Sequence, residues 1–100
     1  MIARIWHGVV HKPLADEYLH LMRTVALPDY RRIPGNIAAY VLQRGEQDVV
    51  HFTTLTFWES TDAIAAFAGP DISLAKYYDF DKDFLLELEP RVEHYEVYVD

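Results

Sequence analysis

Residues 36–58 hold two strand-forming stretches, Asn36 to Arg44 and the β-branched and aromatic run Val49 to Trp58, separated only by the polar turn Gly45-Glu46-Gln47-Asp48. So short a break between two such stretches makes this segment an antiparallel hairpin. Residues 2 to 10 alternate more loosely, with Ala3, Ile5, His7 and Val9 on one face and Ile2, Arg4 and Trp6 on the other, and predict a first strand. After Pro90 the chain alternates again, Tyr95, Val97 and Val99 against Val92, His94, Glu96 and Tyr98, which predicts a last strand.

Between the first strand and the hairpin the spacing of Leu14, Tyr18, Leu21, Met22 and Val25 has the helical period, entered at Pro13 and expected to stop before Pro28. Pro28 to Gly35 then reads as a structured loop. A second helix is expected from its Ser60 cap through Ala63, Ile64 and Phe67 to Gly69-Pro70. In 71–89, Ile72, Leu74, Ala75 and Tyr78 fit another helical piece, with Asp79, Asp81 and Asp83 as a solvated acidic interruption.

The resulting order, strand, helix, strand, strand, helix, strand, is that of an α+β, ferredoxin-like βαββαβ fold with its helices on one face of an antiparallel sheet. Within 100 residues there is room for one core, so residues 1–100 are read as one domain. The other sheet face is bare, and a second copy is the economical cover, which predicts a homodimer built as a dimeric α/β barrel. The absence of cysteine excludes a disulfide framework, a thiolate metal site and a cysteine nucleophile. A formal charge of −7 repels phosphate backbones and anionic bilayers, so neither nucleic acid nor a membrane is expected as partner. The N-terminus lacks a signal-peptide layout and no apolar run reaches membrane-spanning length, from which a cytoplasmic location is expected.

Four stretches together resemble the antibiotic biosynthesis monooxygenase family of dimeric α/β barrels: Met1-Ile2-Ala3-Arg4-Ile5-Trp6, Pro34-Gly35, Phe57-Trp58-Glu59-Ser60 followed by Ala63, Ile64 and Phe67, and Val92-Glu93-His94-Tyr95-Glu96-Val97. The resemblance implies a pocket between sheet and helices and, in its quinone-forming members, oxygenation of an ionisable phenol without metal or flavin. It puts Trp58 on the pocket tryptophan of those members and Tyr40 near their pocket tyrosine. Thr54 and Ile64 stand where they have asparagine and tyrosine, and Tyr78 falls near their arginine. In the haem-degrading members a tryptophan and a histidine occupy the places of Phe67 and Tyr77, so haem degradation is not expected here.

The expected substrate-binding set is therefore Tyr40, Thr54, Trp58, Phe67 and Tyr77, for a small aromatic or polyketide-like molecule. His7 and His94, read as neighbours across strands 1 and 4, are the candidates for a general base, because imidazole titrates near neutrality. Strand 3 is read as parallel to strand 1, which places His51 towards the opposite end of the sheet and leaves two histidines without a placed carboxylate. No metal and no cofactor is expected on that reading. Arg4 is expected to pair with Glu93 or Glu96 across strands 1 and 4. The two functions in competition are a cofactor-free monooxygenase and a homodimer of the same fold that binds a small molecule without turning it over.

Overall fold

The computed structural model describes residues 1–99. Strand β1 (Ile2–His11) leads through a short 3-10 turn, Lys12–Leu14, into helix α1 (Ala15–Leu21). The helix does not stop before Pro28. A π turn over Met22–Ala26 passes into α2 (Leu27–Arg31), with Pro28 inside that first turn. A proline in a regular helix lacks the N–H donor and drives its ring into the carbonyl four residues back. Here the widened turn bonds the Leu27 N–H to the Met22 carbonyl, and the Thr24 hydroxyl donates to the His20 carbonyl at 2.8 Å. The expected loop therefore shrinks to 32–35, and Asp29 and Tyr30 become helical core residues.

The hairpin is as expected, with β2 (Asn36–Glu46) and β3 (Val49–Trp58) joined through Gln47 and Asp48, Gln47 taking a left-handed φ of 54°. Helix α3 (Thr61–Ala68) starts at Ser60, whose hydroxyl accepts the Ala63 N–H at 3.2 Å. It ends at Gly69, with φ 96° and its N–H on the Ala65 carbonyl. The helical piece expected after it is absent. Residues 71–80 form an irregular strap pinned by Ala75 N–H to the Pro90 carbonyl (3.0 Å) and Val92 N–H to the Ser73 carbonyl (3.0 Å). A short helix α4 (Asp81–Phe84) follows, and β4 covers only Glu93–Glu96 of the expected last strand.

The sheet order is β2-β3-β1-β4, all neighbours antiparallel, which is the ferredoxin-like arrangement. β3 thus runs antiparallel to β1, opposite to the sequence expectation, because a hairpin reverses the chain between β2 and β3. The alternating faces are as read. Arg4, Trp6 and Val10 of β1 and Phe52, Thr54, Thr56 and Trp58 of β3 are buried on one side. They pack against Tyr18, Met22, Ala26, Leu27 and Tyr30 from the first helical segment and Ile64 and Phe67 from α3. On the opposite side Tyr40, Leu42 and Tyr95 are about half exposed, at 51%, 48% and 52%.

Candidate functional site

Under the helices, the sheet and the 71–80 strap enclose a small cavity of ≈ 10 Å³ lined by Trp6, Met22, Ala26, Tyr30, Thr54, Lys76, Tyr78 and Asp81. That is room for about one water molecule. The walls are aromatic. Tyr30 leans on Phe67 with ring centroids 4.5 Å apart, Phe67 lies 5.9 Å from Trp58, and Trp6 meets the edge of Tyr77 at 6.3 Å. The polar groups are fixed by one another. Tyr30 and Thr54 share a hydroxyl hydrogen bond of 3.1 Å, and the Trp58 indole donates to Thr56 at 2.8 Å. The buried Trp6 indole N–H has no hydrogen-bond partner among the described residues.

Two carboxylates from opposite ends of the chain hold this site. Asp29 accepts from the Tyr78 phenol (2.6 Å), the Lys76 ammonium (3.1 Å) and the Arg32 guanidinium. Burial pushes its carboxyl up, but the hydrogen bonds from Tyr78, Arg32 and Lys76 outweigh that and hold it below the usual carboxylate range. Asp81, buried, accepts from the Tyr18 phenol and the Tyr78 N–H, both at 2.7 Å. Burial raises its carboxyl, against the pull of those two donors. Lys76 stands 4.3 Å above the Phe67 ring, a cation held on an aromatic face. Burial also raises the Tyr18, Tyr30 and Tyr78 phenols, which therefore stay protonated as donors.

Of the five residues expected to bind substrate, Thr54 lines the cavity, Trp58 and Phe67 back its Tyr30 wall, and Tyr77 backs Trp6 while donating its phenol to the Glu89 carbonyl. Tyr40 lies on the far face of the sheet, against Phe57 at 6.4 Å, because it shares the outward register of β2. Neither candidate base lines the cavity. His7 is on the outward face of β1. His94 faces inward beside Arg4, its Nε2 3.1 Å from Nη1, and burial followed by that guanidinium lowers its basicity. The two imidazoles are not neighbours. Among the described residues Arg4 pairs with no carboxylate; it is buried and donates to the carbonyls of Ile72 (2.5 Å) and Leu74 (3.1 Å), which fastens the strap to β1. Asp81 is not solvated as the acidic spacing implied, because α4 turns it inward onto Tyr18.

Trp6, Tyr30, Lys76, Tyr78, Asp29 and Asp81 were not in the expected set. Trp6 was legible, since it shares the alternation of Arg4. Tyr30 and Asp29 were hidden by the assumption that Pro28 ends the helix.

No protein-family model and no curated protein matches the sequence. Solved structures do match its architecture. A protein from Nitrosomonas europaea named "putative antibiotic biosynthesis monooxygenase" superposes with a TM-score of 0.75 at 17% identity, over 99% of this chain and 100% of that one. The chain shares the fold of that protein. A mutant of MhuD, solved with two manganese protoporphyrin IX molecules per active site, superposes with a TM-score of 0.56 at 19% identity, over 100% of this chain and 97% of that one. These likenesses establish the fold. Among the described residues no helix is long and apolar enough to cross a membrane.

Proposed function

We propose that the protein is a homodimeric monooxygenase acting on a small aromatic molecule, without metal or flavin, at the site between sheet and helices. The observation that carries this reading is Asp81, a buried carboxylate with raised basicity on the wall of an aromatic-lined cavity. A carboxylate whose basicity is raised by burial beside a cleft is a candidate general base. The fold shared with the Nitrosomonas europaea protein supports the same reaction class.

In this reading the strap lifts to admit the substrate. Lys76 and Tyr78 leave Asp29, whose charge stays paired with Arg32. Asp81 takes a proton from an activated ring CH2, and the carbanion gives one electron to O2. The radical pair closes a C–O bond, and the peroxide recovers the proton from Asp81. Loss of water then leaves a carbonyl, so CH2 and O2 become C=O and H2O. Tyr30 and Lys76 stabilise the developing enolate oxygen. His7, His94 and Tyr40 have no part in this step.

A second reading, a dimer that binds a small molecule without turnover, is favoured by one observation. The phenols and carboxylates around the cavity already satisfy one another in pairs. Oxygen uptake with anthrone and hydroquinone substrates, with products read by mass spectrometry, separates the two. Uptake that adds one oxygen atom to the substrate and drops about 100-fold or more in Asp81→Asn establishes the oxygenase. Saturable ligand binding with no uptake establishes the second reading, and absence of both overturns the site.

A further inference from the structure

The pairing of polar groups around the cavity leaves a remainder. Tyr30 and Thr54 are both buried and bring two hydroxyl hydrogens to one shared hydrogen bond of 3.1 Å. Whichever oxygen donates in that bond, the hydrogen of the other hydroxyl has no acceptor among the described residues. Lys76 has three ammonium hydrogens; one goes to Asp29 at 3.1 Å, and Nζ lies 4.3 Å from the Phe67 ring centroid, which leaves at least one unspent. Trp6, whose buried indole N–H is unpartnered, stands on the same wall and adds to the excess of donors.

The spare acceptor is Asp81. Its Oδ1 takes the Tyr18 phenol hydrogen and its Oδ2 the Tyr78 N–H, so each carboxylate oxygen keeps a lone pair. Tyr30, Thr54, Lys76 and Asp81 all line the one cavity of ≈ 10 Å³. They are not free to turn away from it. Tyr30 is wedged between Trp58 and Phe67, Thr54 is fixed on a central strand, and Asp81 is held by its two donors. A buried donor left without an acceptor is costly and rare in folded proteins.

We propose that this cavity is a binding site for one water molecule, which accepts from the Tyr30–Thr54 hydroxyl pair and from Lys76 and donates to Asp81. Water fits the inventory because two lone pairs meet two unspent donors while its hydrogens meet the spare lone pairs of the carboxylate. An anion would face that carboxylate, and a cation would face Lys76 and the free hydroxyl hydrogen. The volume is about the least that holds one water. For the reaction proposed above the position has a further meaning, which rests on that reading. A substrate oxygen that displaces the water meets the same donors, so a ligand with an oxygen on its ring system is favoured over its hydrocarbon counterpart.

The test joins a crystal structure of the full chain, which places the water, to oxygen-17 magnetic relaxation dispersion, which counts waters held longer than the molecule tumbles. Electron density should stand within hydrogen-bonding reach of Asp81 and of Tyr30 or Thr54. Ala26, buried on the cavity wall, offers the variant. Ala26→Val should lower the count by one and the melting temperature by about 5 °C or more, because the donors are stranded. In a dry cavity the same methyl groups would fill space and raise the melting temperature. No density at that position, an unchanged count in Ala26→Val, or a raised melting temperature would overturn the proposal. The density needs no variant, so the outcome stands even where Ala26→Val fails to fold. Saturating anthrone should remove the same one-water contribution, and a water that stays with anthrone bound would overturn its displacement by substrate. Absence of anthrone binding would strike the proposed reaction and leave the water site standing.

Discussion

Trp6 and Gly8 are two steps apart on the buried face of β1, and the volume of the first explains the absence of a side chain at the second. A Cβ at Gly8 would lie 2.6 Å from Trp6 Cη2 and 2.8 Å from Leu85 Cδ2. Gly8→Ala should therefore destabilise the protein by about 1–3 kcal/mol in urea unfolding, and the losses from Gly8→Ala and Trp6→Leu should be less than additive in the double variant, because the smaller residue removes one of the clashes. Asp29 carries a pH dependence of defined sign. Its folded carboxyl is held below the usual range, so its contribution is present above about pH 4 and lost as pH falls through the folded value. Asp29→Asn should cost about 1–3 kcal/mol at neutral pH, and the gap to the natural protein should close in acid; a gap independent of pH would mean that Tyr78, Arg32 and Lys76 do not bind the charged form. Asp81 runs the other way. Its raised carboxyl favours the protonated fold, so its contribution falls as pH rises from about 4 through the folded value.

Among the elements, those with local signals were legible, and the strap and the continuation of the first helical segment were not. The hairpin, α3 with its Ser60 cap and the Gly69 stop all follow from nearby residues. Ser60→Ala should cost about 1 kcal/mol by thermal or urea melting, because the Ala63 N–H loses its acceptor. The 71–80 strap has helical spacing but no helix, since its carbonyls are engaged by Arg4, a residue 68 to 70 positions away in sequence. Continuation of the first helical segment through Pro28 was equally invisible, because the π turn that absorbs the ring leaves no mark in composition or period. That continuation matters for the site, since it delivers Tyr30 to the cavity wall and Asp29 to Lys76 and Tyr78.

For the whole molecule, the outward sheet face governs assembly: Ile5, Tyr40, Leu42, Leu55, Phe57 and Tyr95 lie together there on strands over which the described residues place no second layer. A second copy in the same orientation would bury them, and light scattering should then report a mass near twice 11.7 kDa. Leu42→Lys, which puts a charge on the β2 side of that face, should halve the mass without changing the circular dichroism. A monodisperse monomer of the unaltered chain would remove the dimer from the proposed function.

Alternation and turn chemistry are local properties, so strand faces, the hairpin and the order of elements could be read directly from the residues, and with them the ferredoxin-like fold. The candidate site could not. Its parts come from β1, α2, β3, the strap and α4, and each has a plausible reading alone: a core tryptophan, a loop tyrosine, a surface lysine, a solvated aspartate. Only the packing of these elements decides that Asp81 is desolvated, that Lys76 sits on Phe67, and that Arg4 binds carbonyls instead of a glutamate. The antiparallel direction of β1 and β3 follows from the ferredoxin-like order itself. It sets His7 against His51 rather than His94, and a pairing between residues 44 positions apart has no signature in either neighbourhood.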